Sequence, residues 1–388
     1  MIYLDYNATT PVDPRVLEAM MPFLKEHFGN PSSGHALGRV AREAVEKARQ
    51  KVAFLLGANA SEIVFTSGGS ESNNTVIQAV ARAYSGKPRH VITAQCEHPS
   101  VLEPCRFLET EGVEVTYLPV DGQCLVDPQE VRRALRPHTI LISIMHANNE
   151  VGTIQPIPEI ARMAREAGVL FHTDAAQSVG KIPFSVRELG VDFLTIAGHK
   201  LYAPKGVGAL FVREGVAFPS FIKGASQEGG RRAGTESVPL VVALGEACEL
   251  AGKALPEEIL RVRELREVLH KGLQEAVKGL ELNGHPEQRL PNTLNVSFRG
   301  IPGPSLLQEL GEVCASVGSA CHEGTGEISP VLRAMGIPEE VAMGAVRFSL
   351  GRWSTKEEID QALEAVRNWA SRRRKGLRGW FSRILKRS

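Results

Sequence analysis

The sequence predicts an α/β protein: a large domain with a seven-stranded, mainly parallel sheet, followed by a smaller α+β domain. Two observations carry this prediction. Between Glu62 and Glu214, short apolar runs rich in β-branched residues alternate with longer amphipathic stretches, which is the pattern of a parallel sheet covered by helices on both faces. After about Pro239 the chain becomes strongly helical and charged, and short strand-like runs follow.

The elements of the large domain follow from local patterns. A helix is predicted over 38–56, where apolar residues recur at spacings of three and four until Gly57. Amphipathic segments at 128–135 and 157–167 predict two of the covering helices. The seven predicted strands are 63–66, 90–94, 113–118, 140–145, 169–173, 193–196 and 208–212.

The smaller domain is predicted from a long helical stretch over 241–280, strands at 293–298 and 312–315, and helices from Pro338 and Lys356. We place the domain boundary near residues 250 to 258. The predicted division is an N-terminal segment (1–15), a large domain (16–255), a small domain (256–366) and a basic tail (367–388).

Composition narrows the class of protein. The 388 residues are 43% hydrophobic, with 45 basic and 44 acidic side chains, as in ordinary soluble globular proteins. The apolar runs are far shorter than the roughly 18 residues that a membrane span requires. The first residues have no basic lead and include Asp5, so we expect a cytoplasmic location. The six cysteines are widely spaced, which argues against a disulfide framework or a zinc site.

The tail from Arg367 to Ser388 contains nine basic residues and no acidic ones, which leaves 36 basic against 44 acidic residues in the rest of the chain. Apolar residues recur at helical spacing among these cations, as in segments that lie on an anionic membrane or nucleic acid. A solvated, partly frayed extension is the alternative that we prefer. The apolar residues are Leu377, Trp380, Phe381, Ile384 and Leu385.

Polar residues follow most of the predicted strands, where ligands bind in open α/β sheets. The first strand leads into a glycine-rich turn at 67–74 that opens a helix. Such a turn suits a phosphate, although glycine is also common there for geometry alone. The next strands end before His98, Asn149, Asp174 and Lys200. A phosphate cradle, an imidazole, an acid and a lysine are the groups that pyridoxal 5'-phosphate (PLP) requires.

The sequence resembles the cysteine desulfurases of the class V aminotransferase group, within fold type I of PLP enzymes. The resemblance runs from Tyr3 to about Arg367. It rests on eight motifs in the family's order and spacing: SGGSESNN, EHPSV, NNEVG, HTDAAQ, GHKLYAPKG, RRAGTE, GSAC and RFSLGR. The stretch around GSAC also resembles selenocysteine lyase, and RRAGTE favours the desulfurase.

The resemblance implies roles for individual residues. Lys200 is similar to the lysine that binds PLP covalently and moves the substrate Cα proton, and His98 to the residue that stacks on the ring and handles the substrate thiol proton. Arg347 resembles the guanidinium that binds the substrate carboxylate, with Asn149 near both cofactor and substrate. The remaining implied cofactor contacts are Asp174 to the pyridine nitrogen, Gln177 to the phenolic oxygen, and Gly69, Ser70 and His199 to the phosphate.

Two further positions bear on the cofactor phosphate. Thr235 resembles a residue that reaches the phosphate of a neighbouring subunit, which implies a homodimer with shared active sites. Ala197 stands where the family often has a serine, so the phosphate is expected to lose one hydrogen bond.

Cys321 lies in a polar, glycine-containing stretch, where a thiol is accessible to reaction. The residues alone leave two roles open for Cys321: a reactive nucleophile and an unreactive thiol. The resemblance implies that Cys321 is the nucleophile that takes sulfur from L-cysteine as a persulfide, leaves L-alanine, and passes sulfur to an iron–sulfur scaffold or a tRNA-thiolation carrier. Alternatives are a selenocysteine lyase, a class V aminotransferase, which has no use for Cys321, and a non-catalytic sulfur-carrier subunit.

Overall fold

The computed structural model describes residues 1–217, 219–318 and 328–384, with side chains up to Arg373. Its large sheet has seven strands in the order β2-β8-β7-β6-β5-β3-β4. β8 runs antiparallel to both of its neighbours, and the other neighbouring pairs are parallel. The strands are β2 (Ile63–Thr66), β3 (His90–Ala94), β4 (Glu114–Leu118), β5 (Thr139–Ser143), β6 (Leu170–Asp174), β7 (Phe193–Ala197) and β8 (Gly208–Val212).

Helices cover both faces of this sheet. Apolar residues of α3 and α4 pack against one face, and those of the remaining helices of this part of the chain pack against the other. Helices therefore shield both faces of the sheet from water, as the mainly apolar strands predict. The helices are α1 (Pro14–Lys25), α2 (Ala36–Leu56), α3 (Gly69–Ala83), α4 (Pro99–Thr110), α5 (Pro128–Ala134), α6 (Ile157–Glu166) and α7 (Val186–Leu189).

The C-terminal part of the chain adds two small sheets. One is antiparallel with the order β12-β10-β9, and the other pairs β1 (Ile2–Tyr3) in parallel with β11. The N-terminal residues therefore belong to a sheet completed more than 300 positions later. The elements are α8 (Val238–Ala276), β9 (Leu280–Asn283), β10 (Thr293–Phe298), α9 (Gly303–Leu310), β11 (Val313–Cys314), α10 (Pro330–Ala334), α11 (Glu339–Ala342), β12 (Ala345–Ser349) and α12 (Lys356–Ile384).

One helix crosses the predicted domain boundary. α8 is continuous over 39 residues. Its apolar residues up to Ala251 join the core of the large sheet, and those from Val262 join a second core built on the small sheets. The change of core falls at the predicted boundary, while the division into separate folding units stays a prediction.

The seven predicted strands of the large sheet are confirmed to within about two residues at their ends. β1, β9 and β12 were not predicted. The backbone of the tail is helical as far as Ile384, where α12 ends, while the solvated, partly frayed extension stays a prediction. Within the described part of the chain, none of the helices is long and apolar enough to cross a membrane.

Candidate active site

The carboxyl ends of the parallel strands border a cavity of about 270 Å³. This cavity brings together residues whose positions span most of the chain, as expected for an open α/β sheet. Nine of the predicted site residues line it: Gly69, Ser70, His98, Asn149, Asp174, Gln177, His199, Lys200 and Arg347.

The glycine-rich turn forms one wall of the cavity. β2 ends at Thr66, and Gly69 and Ser70 are the first two residues of α3, so their N–H groups lie at the positive end of a 15-residue helix. β8 passes so close that a Cβ on Gly208 would lie 2.7 Å from the Cα of Gly68. This wall is suited to an anion, and the neighbouring Ala197 contributes only a methyl group to it.

Asp174 and His98 are joined by a short chain of hydrogen bonds. Asn73 Nδ2 donates to Asp174 Oδ2 at 2.7 Å and to Ser100 Oγ at 2.8 Å. The Ser100 hydroxyl lies 2.8 Å from His98 Nδ1, and the Ser100 backbone N–H donates to the same nitrogen at 3.1 Å. Because Nδ1 accepts these bonds, the neutral His98 ring carries its proton on Nε2.

Lys200 follows β7, and its amine reaches the N-terminal segment. Nζ donates to the backbone carbonyls of Asn7 and Ala8 at 2.5 and 2.7 Å. Carbonyl oxygens favour the protonated amine, so these two groups stabilise an ammonium at this position. Neither carbonyl could be identified from the sequence, because any residue type supplies one.

Asn7 is a site residue that sequence reasoning missed. It is almost fully buried, and its Nδ2 donates to the Asn149 carbonyl at 3.2 Å. The Asn7 carbonyl also accepts a hydrogen bond from Gln177 Nε2 at 3.0 Å. The sequence offered one signal for Asn7, its place in the motif YLDYNATTP. The family resemblance assigned this residue no role.

Arg347 reaches the cavity from β12 in the small sheet. The side chain is 1% exposed. Nη2 donates to Asp5 Oδ1 at 2.7 Å, and Nη1 donates to the Asn149 carbonyl at 3.0 Å. Its Nε has no hydrogen-bond partner among the described residues. A buried guanidinium with an unused N–H in a cavity wall is suited to a small carboxylate.

His199 contributes a neutral ring to the anion wall. Burial, together with the neighbouring cations Lys200 and Lys205, lowers the pKa of His199 to about 4. Its Nδ1 lies 3.2 Å from the Thr9 hydroxyl. At neutral pH this residue can therefore give a ligand a hydrogen bond but no formal charge.

Thr235 is exposed and does not line this cavity. Its segment is anchored nearby, because Arg232 Nε donates to Glu71 Oε1 at 2.9 Å. Arg49 and Glu228 form a further, buried ion pair with two bonds of 2.7 and 2.9 Å. The exposure of Thr235 on an anchored segment is compatible with a role toward another subunit.

The buried pair gives a stability prediction. Arg49→Met leaves the Glu228 carboxylate without its main partner, and we expect the free energy of unfolding to fall by about 3 kcal/mol. Urea unfolding measures this loss. In the double variant Arg49→Met/Glu228→Leu, no charge is left unpaired, so stability should partly recover. An unchanged midpoint for the single variant would contradict the prediction.

Cys321 lies outside the described residues. The cysteines at 96, 105, 124 and 248 are buried, and Cys314 is partly buried. Burial raises the pKa of Cys105 and Cys248 to about 12, so neither forms a thiolate at neutral pH. No group of side chains in the described ranges could hold a metal ion.

The described ends of the Cys321 segment lie beside the cavity. Ser329 Oγ donates to Glu150 Oε2 at 2.5 Å. A Cβ on Gly318 would lie 3.6 Å from the same carboxylate oxygen. Glu150 directly follows Asn149 in the motif NNEVG. Gly318 and Ser329 therefore both lie near the Glu150 carboxylate, whose neighbour Asn149 lines the cavity.

Comparison with known proteins identifies the family. The family model for class V aminotransferases matches residues 2–362. Cysteine desulfurase IscS of Dictyoglomus turgidum is 51% identical over 94% of this chain and 93% of its own length. The chain is a cysteine desulfurase family member. Cysteine desulfurase 2 of Trichormus variabilis is 50% identical over 94% of this chain and 92% of its own length.

Two solved structures share the fold of this chain. A NifS-like protein has a TM-score of 0.90 at 41% identity and covers 95% of this chain and 99% of its own. A structure described as SspA in complex with cysteine has a TM-score of 0.82 at 39% identity, covering 92% and 100%. The predicted fold type I architecture is thereby confirmed.

Proposed function

We propose that this protein is a PLP-dependent cysteine desulfurase that removes sulfur from L-cysteine, forms L-alanine and transfers the sulfur to Cys321. The observation that carries the proposal is the meeting of Lys200, Asp174 and His98 with Arg347 around one cavity. The first three suit a pyridine aldehyde cofactor, and Arg347 suits an amino-acid carboxylate. Family membership supports the same reading.

The residues present fit PLP. Gly69, Ser70 and His199 would hold the phosphate, and Asp174 would pair with the pyridine nitrogen. Asp174 is already oriented by Asn73 and by the Ala176 N–H, which donates to Oδ1 at 2.9 Å. When bound, PLP supplies an electron sink for negative charge at the substrate Cα. Lys200 would hold it covalently.

The substrate would be held and deprotonated by residues from three parts of the chain. Arg347 would bind the carboxylate through its unused Nε–H. The Lys200 amine would then take the Cα proton, and the carbonyls of Asn7 and Ala8 would stabilise the resulting ammonium. His98 carries its proton on Nε2, which makes it a hydrogen-bond donor toward the substrate sulfur in its neutral form.

The sulfur transfer balances without an outside oxidant. The Cys321 thiolate attacks the substrate sulfur, an S–S bond forms, and the substrate C–S bond breaks. The electron pair of that bond remains with the carbon skeleton, which takes one proton at Cβ, recovers the Cα proton from the Lys200 ammonium and leaves as alanine. The persulfide on Cys321 then carries the oxidised sulfur to an acceptor, for which we propose an iron–sulfur scaffold or a tRNA-thiolation carrier.

Cys321→Ala tests this function. We expect alanine formation from L-cysteine to fall by at least about 100-fold, because the sulfur loses its nucleophilic acceptor. Mass spectrometry of the intact protein after brief exposure to cysteine should show one added sulfur atom in the wild type and none in the variant. Cys314→Ser is the matched control and should keep both signals. Unchanged alanine formation in Cys321→Ala would contradict the proposal that Cys321 takes the sulfur.

We infer further that the protein acts as a homodimer with shared sites. The exposure of Thr235 supports this inference, as does the anchoring of its segment through Arg232 to Glu71, directly beside Ser70 in the phosphate wall. A second copy would then place its Thr235 at that phosphate.

A further inference from the structure

A second lysine lies behind the cavity and has no role in the chemistry described above. Lys181 follows β6 by seven residues and is partly buried. Its Nζ donates to Gln177 Oε1 at 2.8 Å and to Asn7 Oδ1 at 3.1 Å. Both acceptors belong to residues that line the cavity. Lys181 therefore contacts two polar residues of the cavity wall without lining the cavity itself.

The bonds to Gln177 determine the orientation of its amide. The Lys181 amine donates to the Gln177 oxygen at 2.8 Å, so this oxygen faces Lys181. The Asn7 carbonyl only accepts, so the Gln177 nitrogen must face Asn7, at 3.0 Å. One hydrogen of the Gln177 amide nitrogen is bound to the Asn7 carbonyl. The second hydrogen is therefore the one that Gln177 can donate to a ligand. A donor bound to the oxygen also polarises the amide and strengthens that hydrogen bond.

Two cationic groups and one carboxylate surround the Lys181 amine. Lys200 and Arg347 face it as cations, and Glu258 is the opposing carboxylate. Burial, together with these two cations, lowers the pKa of Lys181 well below its ordinary value. His199, next to Lys200, is neutral at neutral pH. The contact to Gln177 does not depend on the charge, because a neutral amine still donates a hydrogen bond.

We propose that Lys181 is a positioning residue: it holds and polarises the Gln177 amide as a hydrogen-bond donor to the phenolic oxygen of the bound cofactor. This inference rests on the proposed function. A stronger donor stabilises negative charge on that oxygen, which lowers the pH at which the cofactor, linked to Lys200, loses its proton. Lys181 would thus adjust the protonation state of the site without contacting substrate or cofactor.

The experiment is a pH titration of the cofactor's visible absorption band in the purified holoenzyme. For Lys181→Met we expect the midpoint to rise by at least about half a pH unit, and kcat/KM for cysteine to fall about tenfold. Lys181→Gln keeps a donor for Gln177 and should return the midpoint most of the way. Lys205→Met removes an exposed lysine that makes no hydrogen bond to Gln177 among the described residues, and it should leave the midpoint in place.

A double-variant cycle separates this role from a structural one. If Lys181 acts through Gln177, adding Lys181→Met to Gln177→Leu should shift the midpoint no further. A full additional shift, or a wild-type midpoint in a stably folded Lys181→Met protein, would overturn the proposal. If the wild-type protein shows no cofactor band, the proposed function itself is refuted. The wild-type spectrum is therefore measured first, before any variant is made.

Discussion

Lys200→Ala is expected to abolish turnover, with alanine formation from L-cysteine falling by at least about 10⁴-fold. The change removes the covalent attachment of the cofactor and the amine that takes the Cα proton, and each contributes a large part of the rate. The protein should still fold, because Lys200 lines the cavity, where water can replace its amine at the carbonyls of Asn7 and Ala8, 2.5 and 2.7 Å away.

Alanine release by chromatography measures this loss, and gel filtration followed by absorption spectroscopy measures cofactor retention. Lys200→Arg is the informative companion, because it keeps a cation near the carbonyls of Asn7 and Ala8 but cannot form the covalent link. We expect it to be as inactive as Lys200→Ala. Added methylamine should restore a small part of the activity of Lys200→Ala. Persistent turnover in either variant without added amine would remove Lys200 from the mechanism.

Arg347→Lys is expected to lower kcat/KM for cysteine by about 100-fold, mainly through KM. A lysine keeps the positive charge but loses the planar fork that binds the Asn149 carbonyl and Asp5 through two nitrogens. A buried charge pair with the wrong geometry recovers only part of the original binding energy.

Steady-state kinetics separates binding from chemistry in this variant. The cofactor absorption band should be unchanged, because Arg347 donates to the Asp5 carboxylate and to the backbone carbonyl of Asn149, and the described hydrogen bonds do not join it to Asp174, Gln177 or the phosphate wall. Asp5→Asn is the matched control: it keeps a hydrogen-bond acceptor for Nη2 and should raise KM by less than Arg347→Lys. Loss of kcat at unchanged KM would contradict a carboxylate-binding role, and thermal unfolding of each variant checks that the fold persists.

The large sheet could be predicted because its signals are local. Each of its strands is a short apolar run closed by polar residues, and α2 ends at Gly57 in the left-handed conformation expected of a helix C-cap. The rule that ligands bind at the carboxyl ends of parallel strands then placed His98, Asp174 and Lys200 together, and the cavity confirms that they meet.

The missed elements have weak local signals. β1 has two residues, and it is stabilised by pairing with β11 at the far end of the chain. β12 contains Arg347 at its centre, and a charged residue in a fully buried strand argues against a strand until its partner is known. That partner is Asp5, 342 positions away. The local sequence around either residue gives no indication of its partner.

By itself, the sequence determined the strand–turn–helix units, the motifs and the residue types that meet at the edge of the sheet. These depend on backbone preference, apolar periodicity and chain order, which act over a few residues. The tertiary structure decided which groups support those residues: the carbonyls of Asn7 and Ala8, the Asn73 link between Asp174 and Ser100, and the Lys181 contact to Gln177. Such contacts depend on where distant segments come to lie, and a hydrogen bond forms only once the whole fold brings donor and acceptor within about 3 Å.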